Sequence, residues 1–474
     1  MHAQESRIVK SGLWLYISQL SYAIGGFIFW YVISLLSGSE TVGIVSSIMG
    51  LATIITSLRT LGTETSLQKF LGEALGKNDR ESFNSYLWTT IFFNLATAFA
   101  TAILLIFLSI LNIKIAGLDN LMLIFTSILT ILQLSNILIS ILNSMLQTKY
   151  VAISAIIYNV ARVFIGIILV ASGIAWVGAA LGLIAGSALA DIAFILCIKK
   201  MLNRLEIPLK PRFSIKKVKE LVRAGVVSWL PLILFTVGQW LGLLIINADI
   251  GFRASGHYYM AYSIYQIVQT LPIVFVQLMM PVLSGMKDGR KTMTWNVIRI
   301  SLSVAALVYP LLLIYSNVPL SIIGEEYSTA STQLALLSIS IIPQTLITAI
   351  TSLAYAYGMY KDILFLGLSI NVPRIILYFV LSPRFQGDGV AAAYTIGTTI
   401  GMVFSYIVSS RMRFKWNIQQ IGEAFVSGLA VSYILKYIIG SWLIVIPLSI
   451  IITMLVLLKT KLLTIAEIRQ IIKI

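Results

Sequence analysis

Apolar runs of some twenty residues follow one another along almost the whole chain, from Ser11 to Leu36 near its start to a last run near 441–458. A helix needs roughly 20 apolar residues to cross a ~30 Å hydrocarbon core. A chain built of such runs finds its solvent in lipid rather than water. Composition agrees, with 58% of residues hydrophobic and 11% charged, where soluble domains carry about 25% charged. Lipid offers nothing to a bare N–H or C=O group, so spanning structure is restricted to helices and closed barrels. Barrel strands, about ten residues of alternating polarity, are not seen. The chain is read as an all-α polytopic membrane protein.

Fourteen transmembrane helices are expected, near 11–36, 40–62, 86–110, 120–146, 150–171, 174–198, 224–247, 256–284, 297–317, 329–357, 362–382, 388–410, 421–438 and 441–458. The first run is too long for a signal-peptide core and has no small-residue cleavage site, so it reads as a retained span. With this count, most of the 34 basic residues fall on one side, including Lys199, Lys200, Arg204, Lys210, Arg212, Lys216, Lys217, Lys219 and Arg223. Cytoplasmic loops collect Lys and Arg. Both termini are therefore expected in the cytoplasm, at the cell (cytoplasmic) membrane. The formal charge of +16 is explained the same way and gives no reason to expect nucleic acid.

The chain also repeats itself. At an offset of 213, Val9-Lys10-Ser11-Gly12 falls on Val222-Arg223-Ala224-Gly225, and Gly38, Gly43, Gly72 and Gly76 fall on Gly251, Gly256, Gly285 and Gly289. At 212, Lys149 meets Lys361 and Asn159-Val160-Ala161-Arg162 meets Asn371-Val372-Pro373-Arg374. The expected organisation is a six-helix lobe over 1–200, a basic cytoplasmic linker over 201–222 and a second six-helix lobe over 223–412. Two extra helices and a cytoplasmic tail over 413–474 complete it. Six crossings per half give both halves the same orientation, the arrangement of a transporter with parallel repeats; a duplicated scaffold is the alternative.

No engine is visible in the chain. Gly72-Glu-Ala-Leu-Gly76-Lys77-Asn78 is one residue short of a phosphate loop and lacks the hydroxyl after its lysine. Two histidines and one cysteine cannot build a zinc site. No cofactor, metal or catalytic set is expected, and the chain is not read as an enzyme. What stands out is charge at membrane depth, where ionisable groups mark a pathway or a partner. Arg374 has no acid at the position equivalent to Asp191, which is Val403. It is the foremost candidate for gripping an anion, a task that suits a guanidinium. Arg162 either joins it or pairs with Asp191, a possible coupling group. Arg59 either snorkels to the interface or joins the cavity. Asn159, Asn371, Gln239, Gln266 and Gln269 either line a cavity or bind helices together. The stretch Glu64–Phe83 reads as an amphipathic segment along the cytoplasmic face.

Gly324-Glu325-Glu326-Tyr327-Ser328 followed by Ala330, Leu334 and Leu337, Ser37-Gly38 with Gly43, Leu61-Gly62, and Met280-Pro281-Val282-Leu283-Ser284 together give the chain a family likeness. It resembles the Wzx-type polysaccharide and oligosaccharide-lipid flippases of the multidrug/oligosaccharidyl-lipid/polysaccharide (MOP) exporter superfamily. The resemblance implies two lobes around a cavity opening alternately to each side. It implies as cargo a polyisoprenyl-(pyro)phosphate-linked oligosaccharide, met by cavity arginines and moved for surface polysaccharide or glycan assembly. Membrane lipid and glycan-assembly enzymes would be its partners. Rival readings are a MATE-like ion-coupled exporter of drugs or metabolites and a membrane-embedded glycan polymerase or ligase. Cation export calls for buried acids, and here only Asp191 is clearly intramembrane; a polymerase calls for a large outer loop, and the outer loops are short.

Overall fold

The computed structural model describes residues 2–207, 210–286, 288–460 and 462–464. Pro208, Lys287, Lys461 and the expected cytoplasmic tail after 464 lie outside the described residues. The helices are α1 (His2–Arg59), α2 (Thr63–Gly76), α3 (Arg80–Ile110), α4 (Asn120–Leu132), α5 (Ser135–Ser144), α6 (Thr148–Leu169), α7 (Ala175–Arg204) and α8 (Ile215–Asp249). They continue as α9 (Phe252–Gly285), α10 (Arg290–Ile314), α11 (Asn317–Ile323), α12 (Ser331–Ile339), α13 (Ile341–Ala356), α14 (Tyr360–Arg411), α15 (Ile418–Ile439) and α16 (Trp442–Lys459). No strand occurs among the described residues. The all-α membrane reading holds.

Eleven of the helical segments are long and apolar enough to cross a membrane. Three of the eleven are interrupted by residues at positive φ. Gly38 adopts φ 74° inside α1, Gln386 adopts φ 52° inside α14, and Gly173 and Ala175 take positive φ where α6 passes into α7. Positive φ costs glycine least, which explains Gly38 and Gly173. Elsewhere, helix starts are capped from the sequence: Asp79 accepts from the Ser82 N–H, Asp119 from Met122, Ser214 from Lys217 and Asn417 from Gln420. The outer faces are large and apolar, with Ile103, Ile110, Phe164, Tyr437 and Ile438 exposed. That inversion of a soluble surface is the face a bilayer covers.

Packing divides the chain into two compact units, Met1–Tyr259 and Met260–Ile474. In the first, α1 packs along α6, α4 and α8, and α6 lies against α7. A core of Leu67, Leu71, Phe83, Ile141, Phe194 and Leu221 sits beneath α2. Helix α2 buries Leu67, Leu71 and Ala74 and leaves Lys69 and Glu73 exposed as an i,i+4 pair, the amphipathic pattern expected of it. In the second unit α10 is the hub, packing with α12, α13, α15 and α16. Pro310 has no N–H for the Ala306 carbonyl, and Gly428 on α15 comes so close to that oxygen that an added Cβ would stand 2.0 Å from it.

Two details differ from the sequence expectation. Much of the basic 201–222 segment is helical, since α7 runs to Arg204 and α8 starts at Ile215. The connector between them is strapped to the start of α3: Asn84 donates to the Lys210 carbonyl, Thr89 to that of Arg212, and Arg212 pairs with Glu81. The expected span 120–146 is not continuous either. It breaks at Gln133–Leu134 into α4 and α5, with neither Pro nor Gly at the break.

Candidate functional site

Each unit holds a buried arginine at membrane depth with no acid on it. Arg374, on α14, is 1% exposed. Its Nη1 donates to Asn371 Oδ1 at 3.2 Å, its Nη2 to Thr398 Oγ1 at 2.8 Å, and its Nε has no partner. The Tyr394 ring lies 3.8 Å from the guanidinium carbon. Tyr262 and Tyr265 pack edge-on to the same Tyr394. Gly397 makes the fit possible, because a Cβ there would stand 2.7 Å from Arg374 Cβ. Taking a guanidinium out of water costs several kcal/mol. Two neutral hydrogen bonds and a cation–π contact of about 0.5–2 kcal/mol offset only part of that, which leaves a strong local preference for an anion.

Arg162, on α6, is 4% exposed. It donates to Tyr158 Oη at 3.3 Å and lies 4.7 Å from the Tyr158 ring and 5.4 Å from the Phe29 ring. The ion pair with Asp191 is not made. Asp191, on α7, takes a short hydrogen bond from Ser135, the first residue after the α4–α5 break. Among the described residues, the ion pairs are Lys69–Glu73, Arg80–Glu206, Arg212–Glu81 and Arg411–Asp362, and they include none of Arg59, Arg162 and Arg374.

The other sequence candidates fall into place one by one. Arg59 is 7% exposed and neither snorkels nor stands free: Nη1 donates to the Asn94 carbonyl and Nη2 to that of Thr130, both at 3.0 Å. The Thr130 carbonyl belongs to the last turn of α4, where a cation is favoured by the helix dipole. Asn159 donates to the Ser21 and Ala155 carbonyls, binding α6 to α1. Asn371 donates to the Gly367 carbonyl and accepts from Arg374. Gln269 is buried against Ile341 and Thr345, Gln266 donates to Tyr262, and Gln239 is half-buried. Arg374 and Asn371 thus come together, whereas Arg162, Asn159, Asp191 and Arg59 have separate partners.

Two features were missed from sequence. The tyrosines around Arg374 read as ordinary apolar-span residues, though Tyr262 and Tyr265 are three apart on one helix face. The second is Glu64, which bonds to Asn136 beside Arg59. Burial pushes its carboxyl up to about 7 from 4.5, and Arg59 and Asn136 pull the other way. The polar run Gln133, Ser135, Asn136 inside an apolar span was the available signal. A carboxyl whose folded pKa is raised disfavours its charged form, so folded stability falls as pH rises from about 4.5 through about 7. Glu64→Gln is expected to flatten that slope and to melt a few degrees above the parent at pH 8. Thermal unfolding at pH 5 and pH 8 reads both; parallel pH profiles would contradict it.

No curated protein matches the chain by sequence. Its fold is similar to that of solved membrane transporters. A structure of the lipid II flippase MurJ in an inward closed conformation superposes with TM-score 0.78 at 15% identity, covering 95% of this chain and 99% of that one. An inward-facing multidrug resistance MATE family transporter superposes with TM-score 0.68 at 13% identity, covering 83% and 94%. At the sequence level, residues 8–287 match the family described as polysaccharide biosynthesis protein. That match spans more than half of a multi-pass helical membrane chain, and the chain belongs to the polysaccharide biosynthesis protein family.

Proposed function

We propose that the protein is a flippase carrying a polyisoprenyl-(pyro)phosphate-linked oligosaccharide across the cytoplasmic membrane by alternating access, for surface polysaccharide or glycan assembly. The observation that carries this reading is the charge of the buried sites. Arg374 and Arg162 are sequestered at membrane depth without a carboxylate, a poor arrangement for a cation and a good one for a phosphate. Membership of a polysaccharide biosynthesis family and the MurJ-like fold support a lipid-linked glycan as the cargo. The fourteen-helix topology with both termini cytoplasmic is part of this reading; the three segments among the eleven that turn at positive φ, taken as two crossings each, are compatible with that count. The two six-helix halves and the two added helices are read as 1–200, 223–412 and 413–474. Arg374 and Arg162 are assigned to the cargo's anionic group, and Asn159, Asn371, Gln239, Gln266 and Gln269 to its surroundings. Asp191 is the candidate coupling group, and Arg59 supports the α4 end.

Depletion of the protein from its host cell tests the cargo. Labelled lipid-linked oligosaccharide is expected to accumulate while the surface glycan disappears. A normal lipid-linked pool with an intact surface glycan would contradict the assignment. The MATE-like alternative keeps one observation in its favour, the buried carboxylate of Asp191; it predicts loss of drug or dye efflux instead.

A further inference from the structure

The two arginines stand on matching tetrads, Asn159-Val160-Ala161-Arg162 and Asn371-Val372-Pro373-Arg374, yet the two pairs are in opposite states. In the second unit the pair is closed. Arg374 bonds to Asn371 one turn before it and to Thr398 across from it, under the Tyr394 ring. In the first unit the pair is open. Among the described residues, Asn159 Oδ1 accepts from nothing, and Arg162 Nε and Nη2 donate to nothing, although Asn159 is 6% and Arg162 4% exposed. Asn159 has instead turned its amide toward Ser21 on α1.

The neighbours explain why Arg162 is left over. Where α14 offers Thr398 to Arg374, the position one repeat earlier on α7 is Gly186, which has no side chain to offer and lies against Arg162 Cβ. Gly26 on α1 leaves room beside the free nitrogen, since a Cβ there would stand 3.2 Å from Nη2. An Nε–Nη2 edge with both donors unspent is the edge of a guanidinium that matches two oxygens of one phosphate. Asp191 does not supply those oxygens, being engaged with Ser135.

We infer that Arg162 is the first residue to take the cargo's phosphate or diphosphate, while Asn371 and Thr398 hold Arg374 in reserve for a later step of translocation. This rests on the anionic-cargo reading above. Asn159 and Asn371 are then positioning residues. Each can latch the arginine one turn on, and the closed Arg374–Asn371 bond shows that the helix geometry allows it.

Farnesyl diphosphate titrated against the full chain in lipid nanodiscs, with farnesol as the uncharged control, tests the order of engagement. Wild type is expected to bind the diphosphate and to discriminate against farnesol. Arg162→Gln is expected to weaken binding about tenfold or more, the loss of one charged contact, and Arg374→Gln by less than about threefold on the same scale. Adding Asn371→Leu to Arg162→Gln is expected to restore part of the affinity by freeing Arg374, a rescue that a purely structural role would not give. Should Arg162→Gln fail to fold, Arg162→Lys keeps the charge without the planar fork and is expected to bind several-fold more weakly. Wild-type binding with equal losses at both arginines, or with the greater loss at Arg374, overturns the order and leaves the anionic cargo standing. Unchanged affinity in the lysine variant does the same. Absence of wild-type diphosphate binding, or farnesol binding of equal strength, sinks both.

Discussion

Replacing Gly43 with leucine is expected to collapse the yield of folded protein, and Gly256→Leu is expected to do the same. The two glycines meet where the second arm of α1 crosses the start of α9. A Cβ at Gly43 would stand 1.8 Å from the Phe252 carbonyl oxygen, and one at Gly256 would stand 1.9 Å from that of Ser39. Ser39 and Phe252, like Gly43 and Gly256, are 213 residues apart, so the crossing is built twice from equivalent positions. Overpacked side chains cost about 1–3 kcal/mol when neighbours can shift. Here the obstacle is helix backbone on both sides, which cannot rotate away, so the cost lies above that range. Gly72→Leu is the control, because a Cβ there meets nothing within 4 Å. Size-exclusion profiles of detergent-extracted protein measure the outcome: Gly72→Leu monodisperse, Gly43→Leu and Gly256→Leu aggregated or absent. Monodisperse Gly43→Leu protein with an unchanged melting temperature would show that the crossing is looser than described.

Arg374→Met is expected to fold and to flip its cargo roughly 30-fold more slowly or worse, since truncating one partner of a buried charge contact costs about 2–5 kcal/mol. Methionine fills much of the volume under Tyr394 without a charge. The variant leaves Thr398 and Asn371 without their donor, a smaller loss because Thr398 also bonds to the Tyr394 carbonyl and Asn371 to that of Gly367. If Arg374 acts after the cargo is bound, maximal turnover falls while the half-saturating cargo concentration stays near the parent value. Flipping rates against cargo concentration separate these quantities. Unimpaired turnover in a well-folded Arg374→Met protein would remove Arg374 from the pathway.

How far the molecule could be read from its sequence depended on which physical effect set each feature. Span length and apolarity are local properties, so the helices of the membrane stand close to where hydropathy puts them. The pairing of Gly38 with Gly251 at the repeat offset was also legible, and the structure gives both a positive φ. The break at Gln133–Leu134 was not, because no Pro or Gly announces it. It is stabilised by partners from distant segments: Arg59 on the Thr130 carbonyl, Thr53 on Gln133, and Asp191 on Ser135. The same limit applies at the arginines. Depth along a helix placed Arg162 and Arg374 inside the membrane, but whether each is held depended on residues on another helix. Thr398 reaches Arg374 while Gly182 and Gly186 reach Arg162. The Asp191 pairing failed for this reason, since Ser135 claims that carboxylate through a turn the periodicity did not show.

The central claim is most directly tested by flipping of a short fluorescent polyprenyl-diphosphate-linked sugar in proteoliposomes, with and without an imposed ion gradient. Protein-dependent translocation that falls in Arg374→Met and Arg162→Gln is the predicted result. A lipid that stays in its leaflet while a cationic dye is exported would contradict the account and make the buried arginines structural.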